Sequence, residues 1–89
     1  MSYILVNHKV KNFDSWKSYF DNDIPEQKKA GIKLNKVFSS AKDKNDVFIL
    51  FETSDLEKAT GFFTNPRLKD LMHTAGVVSE PDVKILEAA

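Results

Sequence analysis

The run "VFILF" at 47–51 places five large apolar residues in succession, and it limits the fold more sharply than any other stretch of the chain. It is too short for a buried helix and is built from β-branched and aromatic residues, so it predicts a strand buried on both faces. Such a strand belongs inside a sheet, with cover above and below. The whole chain has only 89 residues, enough for one small domain spanning 1–89. A domain of that size buries a modest share of its surface. It contains no cysteine, so neither a disulfide nor a thiolate metal site can reinforce it. Helices can cover one face of the strand, and association with a second copy is the remaining common way to cover the other.

The other elements follow from spacing. Residues 3–10 alternate, with Tyr3, Leu5, Asn7 and Lys9 on one face and Ile4, Val6, His8 and Val10 on the other. Both faces carry apolar residues, which predicts a second central strand. Asn12 is a candidate N-cap, and Phe13, Trp16, Phe20 and Ile24 form the stripe of an amphipathic helix. Pro25 interrupts it, which predicts a kinked or broken helix over 13–30 that stops at Gly31. Residues 32–41 alternate as Ile32, Leu34, Lys36 and Phe38 against Lys33, Asn35, Val37 and Ser39, and the polar "KDKND" at 42–46 turns this strand into the central run. Ser54 and Glu57 suggest a capping box for the next helix, which Asn65 and Pro66 split in two and Gly76 ends. The last segment, 77–88, reads as a strand interrupted by Pro81.

The resulting order is strand, helix, strand, strand, helix, strand, with each helix kinked or split. A four-stranded antiparallel sheet with the helices on one face satisfies the connection rules, giving the α+β, ferredoxin-like βαββαβ arrangement. One sheet face stays open, and a second copy packed on it would close a barrel across a two-fold axis. Thirteen basic and thirteen acidic residues cancel and are dispersed, so no nucleic-acid stripe is expected. No apolar run approaches the roughly 20 residues of a membrane span. The N-terminus reaches Asn7 and His8 too early for a signal peptide, so the chain reads as cytoplasmic.

With these elements in place, "HKVKNFDSW" (8–16), "VFILFETSDLEKATGFF" (47–63), "NPRLKDLMHTAGV" (65–77) and "EPDVKILE" (80–87) resemble the dimeric α+β barrel superfamily. They are most similar to small antibiotic-biosynthesis-monooxygenase-like proteins, and the resemblance covers essentially the whole chain. It implies a homodimer and a small-molecule pocket between sheet and helices. The implied chemistry is cofactor-independent oxidation or isomerisation of a small aromatic or polyketide-like molecule. A non-catalytic binding or stress-related module is the alternative, and haem degradation a third. In such proteins an Asn on the first strand, a Trp, and a His or Arg on a helix often line the pocket. Asn7 matches the first position, and His73, with Met72 beside it, falls near the last. The tryptophan of the haem-degrading branch falls on Phe62 or Phe63, where no indole N–H exists, so haem chemistry ranks below the others.

The residues themselves offer two histidines and a set of rings. Asn7 and His8, being adjacent on a strand, point to opposite faces. The expectation is Asn7 inside the subunit and His8 toward the open side, where Glu52 shares its parity. His8 is a candidate base or donor, against the plainer reading of a half-buried imidazole satisfied by backbone. His73 is a second candidate base, against a role at the helix C-terminus, where an imidazolium is favourable. Trp16, Tyr19, Phe20, Phe38, Phe62 and Phe63 could wall a flat ligand, although rings at helical spacing are commonly core. Trp16 and Tyr19 carry polar tips. The two histidines sit in no metal-binding frame, and the isolated glycines make no phosphate loop, so neither a metal nor a cofactor is expected.

Overall fold

The computed structural model describes all 89 residues. Strands β1 (Ser2–Lys9), β2 (Ile32–Ser39), β3 (Asp46–Thr53) and β4 (Asp82–Glu87) alternate with helices α1 (Phe13–Asn22) and α2 (Ile24–Lys29), then α3 (Leu56–Phe63) and α4 (Pro66–Thr74). The four strands form one antiparallel sheet in the order β2-β3-β1-β4, so the two strands with apolar residues on both faces are the two central ones. This is the ferredoxin-like α+β arrangement, with each helical segment divided in two. No helix is long and apolar enough to cross a membrane.

Local chemistry sets the element ends. Asn12 caps α1 by accepting from Ser15 N at 2.9 Å, and Asn65 caps α4 by accepting from Arg67 N at 2.9 Å. Pro25 and Pro66 occupy first-turn positions, where a missing N–H costs nothing. Gly31 ends α2 with a φ of 74°, a left-handed conformation that side chains with a Cβ resist. The cap of α3 is Asp55, not Ser54: its carboxylate accepts from Lys58 N at 3.1 Å. The buried Thr53 fixes that choice, because its hydroxyl accepts from Asp55 N at 3.1 Å and donates to Gly31 O at 2.8 Å.

The register of β1 on β3 pairs Asn7 with Phe48 and His8 with Val47. Ile4, Val6, Val47, Ile49 and Phe51 therefore share the face beneath the helices and join Ile32, Trp16, Phe20, Ala59 and Ala75 in one buried core. A bulge between Leu34 and Lys36 breaks the simple alternation expected of β2. Leu34 pairs with Phe51 on the inner side, whereas Lys36 pairs with Leu50 on the outer. The extra residue keeps Lys36 out of the core and turns Val37 inward, opposite Ile49.

The opposite face has no cover. Tyr3, Leu5, Phe48 and Leu50 are half-buried there, shielded only by their neighbours, and Phe38 and Leu86 are 44% and 41% exposed. β4 is an edge strand, exposed along its length, and its inward-side Val83 and Ile85 are 42% and 52% exposed because the helices stop short of the edge. The interruption expected at Pro81 is present. Val77 makes an isolated bridge to Val10, Val78 N donates to Lys9 O at 2.8 Å, and the regular ladder begins only at Asp82.

Candidate active site

His8 lies on the inner face, the reverse of the expected arrangement, and is 3% exposed. Asn7 is on the open face, where its amide donates to Asp46 Oδ1 at 2.9 Å and to Val47 O at 3.0 Å. The cause is the register: Ile4 and Val6 are the residues the helices cover, and His8 shares their parity. Glu52 pairs with Tyr3 and so stands on the open face, not beside His8. Strand parity could not reveal this, since partners in this register are odd against even.

The imidazole meets the edge of Trp16, with ring centroids 5.5 Å apart. Its Nδ1 is buried without a hydrogen-bond partner. Burial holds the His8 pKa below the ordinary value of 6.5, and the ring's own backbone carbonyl opposes the shift only in part. At neutral pH the ring is uncharged and retains a basic lone pair.

From His8 a run of rings crosses the layer between helices and sheet. Trp16 stacks on Phe20 at 5.0 Å, Phe20 meets Phe51 at 6.2 Å, Phe51 meets Phe63 at 5.7 Å, and Phe63 meets Phe62 edge-on at 5.5 Å. Phe63 also lines a cleft of 960 Å³ between α4 and β4. Lys69 and His73, one turn apart on α4, form one wall of this cleft, and Ser79, Glu80 and Val83 form the other. The volume suits a small molecule. Lys69, Asp70 and Glu80 take part in no ion pair, so the cleft offers free polar groups. The β1–β4 pairing breaks register between Asp82, opposite Asn7, and Val77, opposite Val10, and Ser79, Glu80 and Pro81 of the cleft lie within that break.

The structure thus brings His8, Trp16, Phe20, Phe62 and Phe63 into one contiguous group, with His73 on the cleft that Phe63 borders. It separates the others. Tyr19 is 40% exposed on α1, beside a smaller hollow at Lys11 and Gly76. Phe38 and Asn7 are on the open sheet face. The cleft residues Lys69, Ser79, Glu80 and Val83 were not singled out by sequence. The spacing of Lys69 and His73 was legible, but the segment that faces them became a wall only through the break at Pro81.

No protein-family model matches the sequence, and no curated protein matches it. Solved structures do. An antibiotic biosynthesis monooxygenase superposes with a TM-score of 0.74 at 14% identity, covering 100% of this chain and 99% of its own. A variant of SnoaB, a cofactor-independent oxygenase from Streptomyces nogalater, gives a TM-score of 0.74 at 10% identity over 98% of this chain and 91% of its own. A nipsnap family protein of unknown function from Agrobacterium tumefaciens gives 0.72 at 18% identity over 100% and 88%. The chain therefore has the ferredoxin-like α+β fold of the antibiotic biosynthesis monooxygenase-like proteins.

Proposed function

We propose that this protein is a cofactor-independent, monooxygenase-like enzyme acting on a small hydroxylated aromatic molecule that enters by the cleft between α4 and β4. The observation that carries this reading is His8: a neutral, 3% exposed imidazole with an unpartnered Nδ1, standing at the end of a ring run that reaches the cleft at Phe63. A buried neutral imidazole is a competent base at neutral pH. Removal of a proton from an electron-rich phenolic ring system gives an anion that reacts with dioxygen directly. For a ring methylene the balance is one oxygen atom retained as a carbonyl, the other released as water. Trp16 and the phenylalanines exclude solvent from the anion, and His73 supplies a second imidazole at the entrance. The similarity to a cofactor-independent oxygenase supports the same class of chemistry.

The competing reading is a binding module without turnover, favoured by the free Lys69, Asp70 and Glu80 in the cleft. Oxygen uptake with a panel of hydroxylated aromatic compounds separates the two. The expected result is uptake that His8→Ala lowers by about 10²-fold and His73→Ala by less. Undiminished uptake in both variants would remove the base assignment, and ligand binding with no uptake at all would favour the module.

We also infer that the working form is a homodimer, a single dimeric domain over residues 1–89, joined through the open sheet face. Support comes from the half-buried Tyr3, Leu5, Phe48 and Leu50 and the exposed Phe38 and Leu86, an apolar band with no cover in the single chain.

A further inference from the structure

The cleft between α4 and β4 is walled by charge of both signs, and none of that charge is paired within the chain. On α4 the residues turned to it are Lys69, Asp70 and His73, with Lys69 and His73 one turn apart. The wall across from them carries Ser79 and Glu80. None of the four titratable side chains joins an ion pair. The second wall is held in place. Ser79 Oγ accepts from Lys9 N at 2.8 Å and Val78 N donates to Lys9 O at 2.8 Å, so the stretch carrying Glu80 is tied to the end of β1 across the register break. Apolar surface lies beside these charges: Phe63, Met72 and Val83 border the same cleft.

The charges narrow the class of ligand. A simple anion drawn to Lys69 meets two carboxylates, Asp70 and Glu80, in the same 960 Å³. A simple cation drawn to those carboxylates meets Lys69. A molecule carrying one charge of each sign close together, with an apolar body behind them, suits every part of the lining at once. An α-amino acid with a large apolar side chain has that layout.

We propose that this cleft is a binding site for a small zwitterion, an α-amino acid with a large apolar side chain. Its carboxylate meets Lys69 and His73, its ammonium meets Glu80, and its side chain lies on Phe63, Met72 and Val83. Asp70, beside the carboxylate position, repels ligands that carry a second negative charge. The site asks for no space in the packed ring layer and for no turnover, so it stands apart from the oxygenase reading. Its charged groups are exposed, so each contact contributes no more than a well-placed surface pair, about fivefold in affinity.

Calorimetric titration of the full chain with phenylalanine, phenylpropanoate and phenethylamine tests this, since the last two lack the ammonium and the carboxylate respectively. The expected result is binding of phenylalanine about fivefold tighter than of either. Lys69→Gln should make phenylalanine and phenethylamine bind alike, and Glu80→Gln should make phenylalanine and phenylpropanoate bind alike. Both positions are exposed, and both variants should melt as wild type does. In an amide-correlation NMR spectrum phenylalanine should shift Lys69, His73 and Glu80, and leave the indole of Trp16, the only tryptophan, in place. Equal binding of the three compounds overturns the proposal, as does a preference that survives both substitutions. Oxygen uptake measured alongside keeps the two readings separate. Uptake with hydroxylated aromatics in a chain that fails to bind phenylalanine overturns the zwitterion site alone, whereas phenylalanine binding without uptake supports the site and counts against the oxygenase.

Discussion

Because His8 titrates below 6.5 in the fold, its protonation links stability to pH with a definite sign. Above about 6.5 the ring is neutral in folded and unfolded chains alike, and it contributes no pH dependence. Below that value the unfolded chain takes up the proton first, so stability falls as pH drops, until the folded pKa is reached. One proton corresponds to a slope of at most about 1.4 kcal/mol per pH unit. Urea midpoints measured from pH 7.5 down should therefore decline below about pH 6.5, and the same series in His8→Leu should lose that component. A decline of equal steepness in the variant would place the titration elsewhere. Gly31 supplies a second residue-scale test. At a φ of 74°, with only the Lys58 side chain near its missing Cβ, Gly31→Ala should cost about 1 kcal/mol from backbone strain rather than collision.

At the scale of elements, Asp23, between α1 and α2, accepts from Arg67 Nη1 at 3.1 Å at the start of α4, and this pair has a measurable structural share. Truncating Arg67 leaves a carboxylate that is 8% exposed without its cation, while the guanidinium itself is 45% exposed and already partly hydrated. Arg67→Ala should therefore destabilise by about 2 kcal/mol, near the middle of the range for an orphaned buried polar group. Asp23→Asn in the same background should recover part of it, read as a coupling energy in a double-mutant cycle. Additive losses would mean that the two helix breaks are not joined through this contact. Surface pairs such as Lys29–Glu26, on one exposed face of α2, should by comparison be close to neutral when removed.

For the whole molecule, the open sheet face decides the assembly. Leu5 and Leu50 are neighbours at its centre, in register across β1 and β3. Leu50→Glu puts a charge where the inferred partner would bury it, and light scattering after sizing chromatography should report a dimer for wild type and a monomer for the variant. A wild-type monomer at micromolar concentration would remove the inferred dimer and leave the fold intact. Tyr19→Ser, on the solvent side of α1, away from the side that carries Trp16 and Phe20 into the core, should change neither assembly nor oxygen uptake.

How much of this was legible in the sequence differs from feature to feature. Turn and cap chemistry is local, so Asn12, Pro25, Gly31, Asn65 and Gly76 marked element ends without any knowledge of the rest of the chain. The apolar runs of β1 and β3 required central positions, and with the helix spacing they determined the α+β order and the uncovered face. What alternation along β1 could not supply was its sense: it set Asn7 and His8 back to back, but helix packing chose Ile4 and Val6, and His8 with them, as the inner set. The bulge at Asn35 and the wall facing α4 after Pro81 were likewise hidden, because each depends on which neighbour a backbone meets. The sequence by itself determined the elements and their order, since these follow from contacts within a few residues. Only the tertiary structure decided where the candidate base lies and which polar atoms are left unpaired, since those depend on contacts between segments far apart in the chain.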